Sequence, residues 1–142
     1  MSDLILPDLI ALLDRAALAA GAYCDLARQA VAMRTAPGGK VDRRALDAEQ
    51  HVVHGLAWAA AYAETLRQTA VWAADLAAQG QLTENEALPS QLLAFEYLSQ
   101  LAGGLPMNQG EVFRPGDLGL EGLHFSGLIE ACLLYTSPSP RD

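Results

Sequence analysis

Asp47, His51 and His54 are the residues whose types and spacing come nearest to a chemical site in this chain. Side chains three or four positions apart lie on neighbouring turns of a helix, so a carboxylate and two imidazoles at this spacing could hold a metal ion. The segment does not match HExxH, and the remaining histidine, His124, is distant in sequence. We favour a structural interpretation, in which His51 pairs with Asp47 and His54 faces solvent.

Nucleophilic and phosphate-binding chemistry have less support. Cys24 lies inside a helical pattern without a CxxC partner, which is typical of a small packed side chain rather than a nucleophile. No GxSxG segment is present, and the glycines at 38–39 and 103–104 follow no predicted strand, so we interpret them as helix ends. We therefore predict no catalytic, cofactor-binding or metal-binding residue in this sequence.

Two further features indicate contact surfaces. Trp58, Tyr62 and Trp72 recur at helical spacing and could form a ring-stacking pocket, although core packing or docking against a second domain is the commoner use of such a row. The polar, turn-rich run at 107–117 is either a connector whose polar groups cap helix ends or a contact surface for another domain. The sequence leaves both alternatives open.

The composition limits the classes of partner. The chain has 142 residues, is 51% hydrophobic and carries a net charge of −8, so it has ample apolar material for a packed core. The acidic balance argues against nucleic acid or an anionic membrane surface, because both bind clustered Lys and Arg. Asp3 and Asp8 stand where a secretory signal has positive charge, and no apolar run is long enough to cross a membrane, so we expect a cytoplasmic protein.

The segment 132–142, CLLYTSPSPRD, differs abruptly from the Ala- and Leu-rich texture before it. It resembles a translated sequencing adapter, a kind of segment that takes no part in a natural fold. We expect this tail to be artefactual and the natural chain to continue past Ala131.

The first of three long helical patterns begins near Ile5 and is ended by Pro37-Gly38-Gly39, with Pro7 suited to its first turn. Its apolar positions alternate at spacings of four and three, as in one seam of an amphipathic helix. This predicted seam consists of Ile5, Leu9, Leu12, Ala16, Ala19, Tyr23, Leu26, Ala30 and Met33.

The second pattern predicts one helix from about Asp42, a plausible N-cap, to Gln79, with Gly80 as the left-handed residue after its end. A helix this long would be unusual in a compact domain, so we expect a bend near Gly55. Its predicted seam is Val52, Leu56, Ala59, Ala63, Leu66, Ala70, Ala73 and Ala77, and its polar row is Gln50, His54, Glu64, Gln68 and Asp75.

The third pattern begins at Thr83, which forms a capping-box motif with Glu86, and stops at Gly103-Gly104. Pro89 is awkward inside a helix, so we expect either a broken first turn or a helix that starts near Pro89. The predicted fold is all-α: an antiparallel bundle of three long helices over 1–103, then an extended Gly/Pro-rich connector at 104–119 and a short truncated helix at 120–131. We find no strand alternation of useful length.

A family resemblance is carried by EQHVVHGLAWAAAYAETLRQTAVWAADLAAQGQL at 49–82 and by FEYLSQLAGGLPMNQGEVFRPGDLGL at 95–120. The most specific parts are HVVHGLAW and AGGLPMNQGE. Both stretches resemble an alphaproteobacterial subfamily of acyl-CoA dehydrogenases associated with the ethylmalonyl-CoA pathway. Members of this subfamily carry a helical extension ahead of the common dehydrogenase body, and the resemblance implies that this chain is such an extension.

The resemblance also implies a flavoprotein. The complete enzyme would use FAD and a carboxylate base to dehydrogenate a branched acyl-CoA between its α and β carbons, whereas this segment would be inactive by itself and bind no cofactor. Its partner would be the missing dehydrogenase body or a second subunit, and we expect the complete protein to be a homo-oligomer. The alternative is a free-standing helical module that binds another protein through its Trp58, Tyr62 and Trp72 face.

Overall fold

A computed structural model of the chain describes residues 4–120, 127, 130 and 131. These residues are mostly helical, which confirms the all-α expectation in broad terms. Three long helices share one apolar core, and a small hairpin packs beside the long helix Gln50–Ala78. The elements are α1 (Leu9–Thr35), α2 (Arg43–Ala48), α3 (Gln50–Ala78), α4 (Glu84–Gly103), β1 (Leu105–Asn108), β2 (Glu111–Phe113) and a 3₁₀ helix (Pro115–Leu118).

Helix α1 begins after Pro7, and not with Pro7 in its first turn as expected. Asp8 is the N-cap, with a left-handed backbone at φ 58°, and its carbonyl accepts the Leu12 N–H at 3.0 Å. The polypeptide therefore turns sharply before the helix starts, and Pro7 lies in that turn.

The buried face of α1 is rotated from the predicted seam. Leu12 and Leu26 are only half-buried and Met33 is exposed, whereas Leu13 and Ala20 are fully buried. Because α1 carries alanine or leucine on most of its sides, periodicity alone leaves the phase of the buried face undecided. The buried residues are Leu9, Leu13, Ala16, Ala20, Tyr23, Ala27, Ala30, Val31 and Thr35.

The single helix predicted from Asp42 to Gln79 is two helices. Asp42 is the N-cap of α2, as predicted, and its carboxylate accepts the Ala45 N–H at 2.9 Å. The chain breaks at Glu49 (φ −102°, ψ 22°), six positions before the place where the sequence suggested a bend, and α3 continues without interruption through Gly55. The carboxylate of Glu49 lies 3.4 Å from Arg34, which ties this break to the end of α1.

The face and the end of α3 agree with the sequence pattern. The predicted seam is buried except for Leu56 and Ala77, with Gly55 buried as well, and the predicted polar row is exposed. Gly80 has φ 67°, and the N–H of Gln81 reaches the Leu76 carbonyl at 2.8 Å. This Schellman arrangement ends the helix with its last carbonyls satisfied.

Helix α4 runs without a break through Pro89, contrary to both alternatives that the sequence suggested. The capping box at its start is confirmed: the Glu86 carboxylate accepts the Thr83 N–H at 3.0 Å, and Thr83 Oγ1 accepts the Asn85 N–H at 3.3 Å. Pro89 is exposed and lies close to this well-capped end. The helix lacks the hydrogen bond that residue 89 would have donated, yet it continues past this position.

The connector predicted at 104–119 contains regular structure that the sequence pattern did not indicate. Strands β1 and β2 form an antiparallel hairpin that pairs Leu105 with Phe113 and Pro106 with Val112, with a register shift before the turn. The 3₁₀ helix follows at once. Of the short helix expected at 120–131, most positions lie outside the described residues, as does the whole of 132–142. Within the described part of the chain, no helix combines the length and hydropathy that crossing a bilayer requires.

Candidate interaction surfaces

The hairpin is fixed to α3 by one close ring contact. Phe113 is among the largest fully buried side chains, and its ring lies directly over Gly55. A Cβ atom on residue 55 would overlap three atoms of this ring, so glycine is the residue that allows the approach. The hairpin thus covers the N-terminal half of α3 with a large apolar side chain.

A polar contact accompanies this ring contact. Asp117, in the 3₁₀ helix, accepts the backbone N–H of Arg114 at 2.7 Å and lies 3.3 Å from Nε2 of His51. The His51 ring also meets the Phe113 ring edge-on, with centroids 6.3 Å apart. The run at 107–117 therefore caps and anchors itself, and it packs within the chain at this end.

The metal interpretation of Asp47, His51 and His54 gains no support from the geometry. His51 contacts Asp117 and not Asp47, so the predicted pairing was wrong, because the real partner is 66 positions away. His54 is exposed, as expected, and its Nε2 accepts the indole N–H of Trp58 at 3.0 Å. Among the described residues, no group of three or more His, Cys, Asp or Glu side chains could hold a metal ion.

Two ionisable groups on α1 lie next to this end of the core. Burial raises the pKa of the Tyr23 hydroxyl far above its ordinary value, and the neighbouring Cys24 and Asp117 act in the same direction. Burial also raises the pKa of the half-buried Cys24 thiol, with Asp25 adding to the shift and Arg28 opposing it. A raised pKa leaves the thiol protonated at neutral pH, and this agrees with the packing role predicted for Cys24.

The aromatic row is partly packed and partly exposed. Tyr62 stacks on Tyr97 of α4 with ring centroids 3.9 Å apart, and its hydroxyl donates to Gln100 Oε1 at 2.7 Å. Trp58 and Trp72 are 37% and 49% exposed. Tyr62 therefore joins α3 to α4, while the two indoles extend the row across the surface on either side.

A second candidate surface, besides the aromatic row, is a groove between α1 and α3 with a volume of about 600 Å³. The helices run antiparallel here, because Arg34 meets Glu49 at one end while Ile10 and Ala74 line the groove towards the other. The lining is mostly apolar and small, with Leu18 67% and Val71 48% exposed at its edges. The residues that line it are Ile10, Asp14, Ala17, Leu18, Gly21, Ala22, Asp25, Arg67, Ala70, Val71 and Ala74.

This groove does not fit the FAD that the resemblance implies for a complete enzyme. The diphosphate of a dinucleotide binds to free backbone N–H groups at a helix N-terminus or a glycine-rich turn. The groove runs along the middle of two helices and carries Asp14 and Asp25. Its one arginine, Arg67, is already held by Glu64 through bonds of 2.8 and 2.7 Å. A dinucleotide diphosphate would meet two carboxylates and an occupied guanidinium.

Comparison with known proteins finds a relative that is much longer than this chain. No protein-family model matches the chain. Among curated proteins, the chain is similar to a dehydrogenase named for a CoA thioester. This relative is the (2S)-methylsuccinyl-CoA dehydrogenase of Cereibacter sphaeroides, to which the chain is 42% identical over 117 residues. The matched residues are 82% of this chain and 21% of the relative, so the chain spans about a fifth of the relative's length.

Proposed function

We propose that the chain is an accessory helical domain of a larger FAD-dependent acyl-CoA dehydrogenase that resembles (2S)-methylsuccinyl-CoA dehydrogenase. The observation that carries this proposal is the 42% identity over 117 residues, which are 82% of this chain and only 21% of the relative. In this proposal the flavin, the catalytic base and the CoA thioester belong to the remaining sequence of the enzyme, which would dehydrogenate a branched acyl-CoA.

The geometry supports a role in packing rather than in chemistry. The polar residues that the sequence singled out are used within the fold: His51 on Asp117, His54 on Trp58, and the 107–117 run on α3. The surface that we assign to the dehydrogenase body is the aromatic row, because an exposed indole ring gains much from burial against a partner. Trp58 and Trp72 supply that surface on either side of the Tyr62–Tyr97 stack.

An exchange experiment tests the proposal. In one variant of the Cereibacter sphaeroides enzyme, the segment that matches this chain is deleted, and in a second variant it is replaced by residues 4–120 of this chain. We expect the replacement to give a soluble, flavin-loaded enzyme with turnover within about tenfold of the parent, a difference near 1.4 kcal/mol in the barrier. The deletion should lose soluble flavoprotein.

The matched control is the same replacement with Trp58→Ala and Trp72→Ala, both at exposed positions that leave the core of the domain intact. This variant should behave like the deletion in flavin content, although its helical circular dichroism is retained. A replacement that folds but yields no flavin-loaded enzyme would contradict the proposal.

The second candidate function is a free-standing module that binds another protein through the same aromatic face. The exposure of Trp58 and Trp72 favours it. The exchange experiment separates the two functions, because a free-standing module would not restore a deleted part of the dehydrogenase.

A further inference from the structure

We propose that a second copy of this chain docks antiparallel on the outer face of α1, about a two-fold axis that passes close to residue 20. The proposal goes beyond the accessory role, since it assigns a partner to the outer face of α1, of which Leu18, Ala22 and Asp25 also line the groove between α1 and α3. It applies to this chain by itself and does not depend on the dehydrogenase body.

The first step is the row of side chains that α1 presents outward. Positions 11, 15, 18, 22, 25 and 29 follow the alternating spacing of four and three that forms the seam of a coiled coil. All six are exposed, so this row is distinct from the buried face of the same helix. The residues are Ala11, Arg15, Leu18, Ala22, Asp25 and Gln29.

The second step is that this row is complementary to itself when it is reversed. Positions 15 and 25 are equally far from position 20, and so are 18 and 22, and 11 and 29. In an antiparallel pair of α1 helices, Arg15 of each copy therefore faces Asp25 of the other, and Leu18 faces Ala22. Such an interface is isologous and buries the same patch on both copies, as closed two-fold dimers require.

The existing contact of Asp25 does not oppose this pairing. Asp25 accepts a hydrogen bond from Arg28 at 3.2 Å, and both side chains are 67% exposed. An exposed ion pair of this kind contributes about 0–1 kcal/mol, so exchanging Arg28 for Arg15 of a second copy costs little. Opposite charges across the pair also fix the register, since a parallel arrangement would place Arg15 against Arg15.

The third step is the space beside the row. Apart from its own helix, no described atom lies within 4 Å of the position that a Cβ on Gly21 would occupy. Gly21 and Ala22 let a second helix approach closely, because the distance between helix axes depends on the side chains at the contact. Leu18 is 67% exposed and is the large side chain that would fill this space on the partner.

Charge exchange tests the proposal on the full 142-residue chain by sedimentation equilibrium. The wild-type chain should approach twice its monomer mass of 15.1 kDa as its concentration is raised. Arg15→Asp and Asp25→Arg, made singly, should each weaken self-association by roughly tenfold or more, because each places like charges opposite one another at two contacts. Combining both substitutions in one chain should restore dimerisation to about the wild-type level.

Mixing the two single variants supplies the sharper result. In an antiparallel mixed dimer, the two substituted side chains face each other with opposite charges at one contact. At the other contact the unsubstituted Asp25 and Arg15 face each other, so the mixture should associate although neither variant does so alone. Circular dichroism of each variant checks that the monomer is folded.

Three results would overturn the proposal. The first is a wild-type chain that stays monomeric over the whole concentration range, and the second is a pair of single variants that associate as well as the wild type. The third is a monomeric chain that binds the rest of the dehydrogenase through this face of α1, because the groove would then have a different occupant.

Discussion

Gly55 and Gly21 both lie inside long helices on faces lined by alanine, yet their surroundings differ. Gly55 of α3 is covered by the Phe113 ring, which comes from the hairpin. Gly21 of α1 has open space beside it and lines the groove between α1 and α3. The space beside Gly55 is thus filled by a large side chain of the same chain. The described residues supply no such side chain beside Gly21.

This difference is the reason that we assign different roles to the face of α3 at Gly55 and the face of α1 at Gly21. A glycine inside a helix lowers helix stability, and a close packing contact can offset that cost. At Gly55 the packing contact is within the chain and fixes the hairpin. At Gly21 we assign the contact to a second copy. Gly55 therefore marks a contact inside the chain, whereas Gly21 marks the surface that we assign to a partner.

The largest effect should follow from removing the side chain that covers Gly55. Phe113→Ala leaves a cavity over α3, and we expect it to lower the free energy of unfolding by about 3–5 kcal/mol. Urea unfolding followed by circular dichroism measures this. Met33→Ala, at an exposed position of α1, is the control and should change stability by less than about 0.5 kcal/mol. Equal losses in the two variants would show that the hairpin is not packed on α3.

The second prediction compares the same substitution at both glycines. Gly55→Ala should destabilise the chain by about 1–3 kcal/mol, because the new methyl group overlaps the Phe113 ring and the packed core must shift. Gly21→Ala should instead stabilise the monomer by about 0.5–1 kcal/mol, since alanine is the better helix former and has room there. Thermal unfolding at low protein concentration measures both. Changes of the same sign would contradict the comparison.

The third prediction concerns the polar contact beside Phe113. Asp117→Asn keeps the size of the side chain but removes the carboxylate that meets His51 and the Arg114 N–H. We expect a loss of about 1 kcal/mol, smaller than that of Phe113→Ala, because this contact lies partly in solvent. His51→Ala alone should cost less than Asp117→Asn, and the double variant should show coupling between them. Independent, additive effects would remove the contact from the account.

The smallest effect concerns a carboxylate beside the open groove. Hydrogen bonds from Arg67 and then Gln68 lower the pKa of Glu64 to about 2 from its ordinary value of 4.5. A depressed pKa in the folded state means that this contact stabilises the fold above pH 4.5 and is lost as the pH falls towards 2. Carbon NMR of the Glu64 carboxylate should show this midpoint, and Arg67→Gln should raise it towards 4.5. An unchanged midpoint in that variant would contradict the assignment.

Features with a local cause could be predicted from the sequence. The caps at Asp42, Thr83 and Gly80 were all correct, because each depends on residues within one helical turn. The break at Glu49 was missed, because no residue pattern around it indicates an interruption; its side chain contacts Arg34, 15 positions earlier at the end of α1. The residues of a capping motif lie close together in the sequence, whereas the partners in a tertiary contact can be far apart.

The hairpin and its contact with α3 show the same limit. Strands of four and three residues, broken by a register shift, give almost no alternation to recognise. The spacing of Asp47 and His51 suggested a local pair, but the fold joins His51 to Asp117. One signal was available: an isolated glycine inside a helical pattern often marks a close packing approach, and Gly55 does so here.

The central claim is that this chain supplies packing surfaces and that the flavin chemistry of a complete enzyme belongs to other sequence. The most direct measurement is an equilibrium titration of the purified chain with FAD, followed by flavin fluorescence, beside the same titration of the Cereibacter sphaeroides dehydrogenase after dialysis against a flavin-free buffer. We predict saturable binding by that enzyme and none by this chain at the same concentrations. Stoichiometric binding of FAD to this chain would contradict the claim.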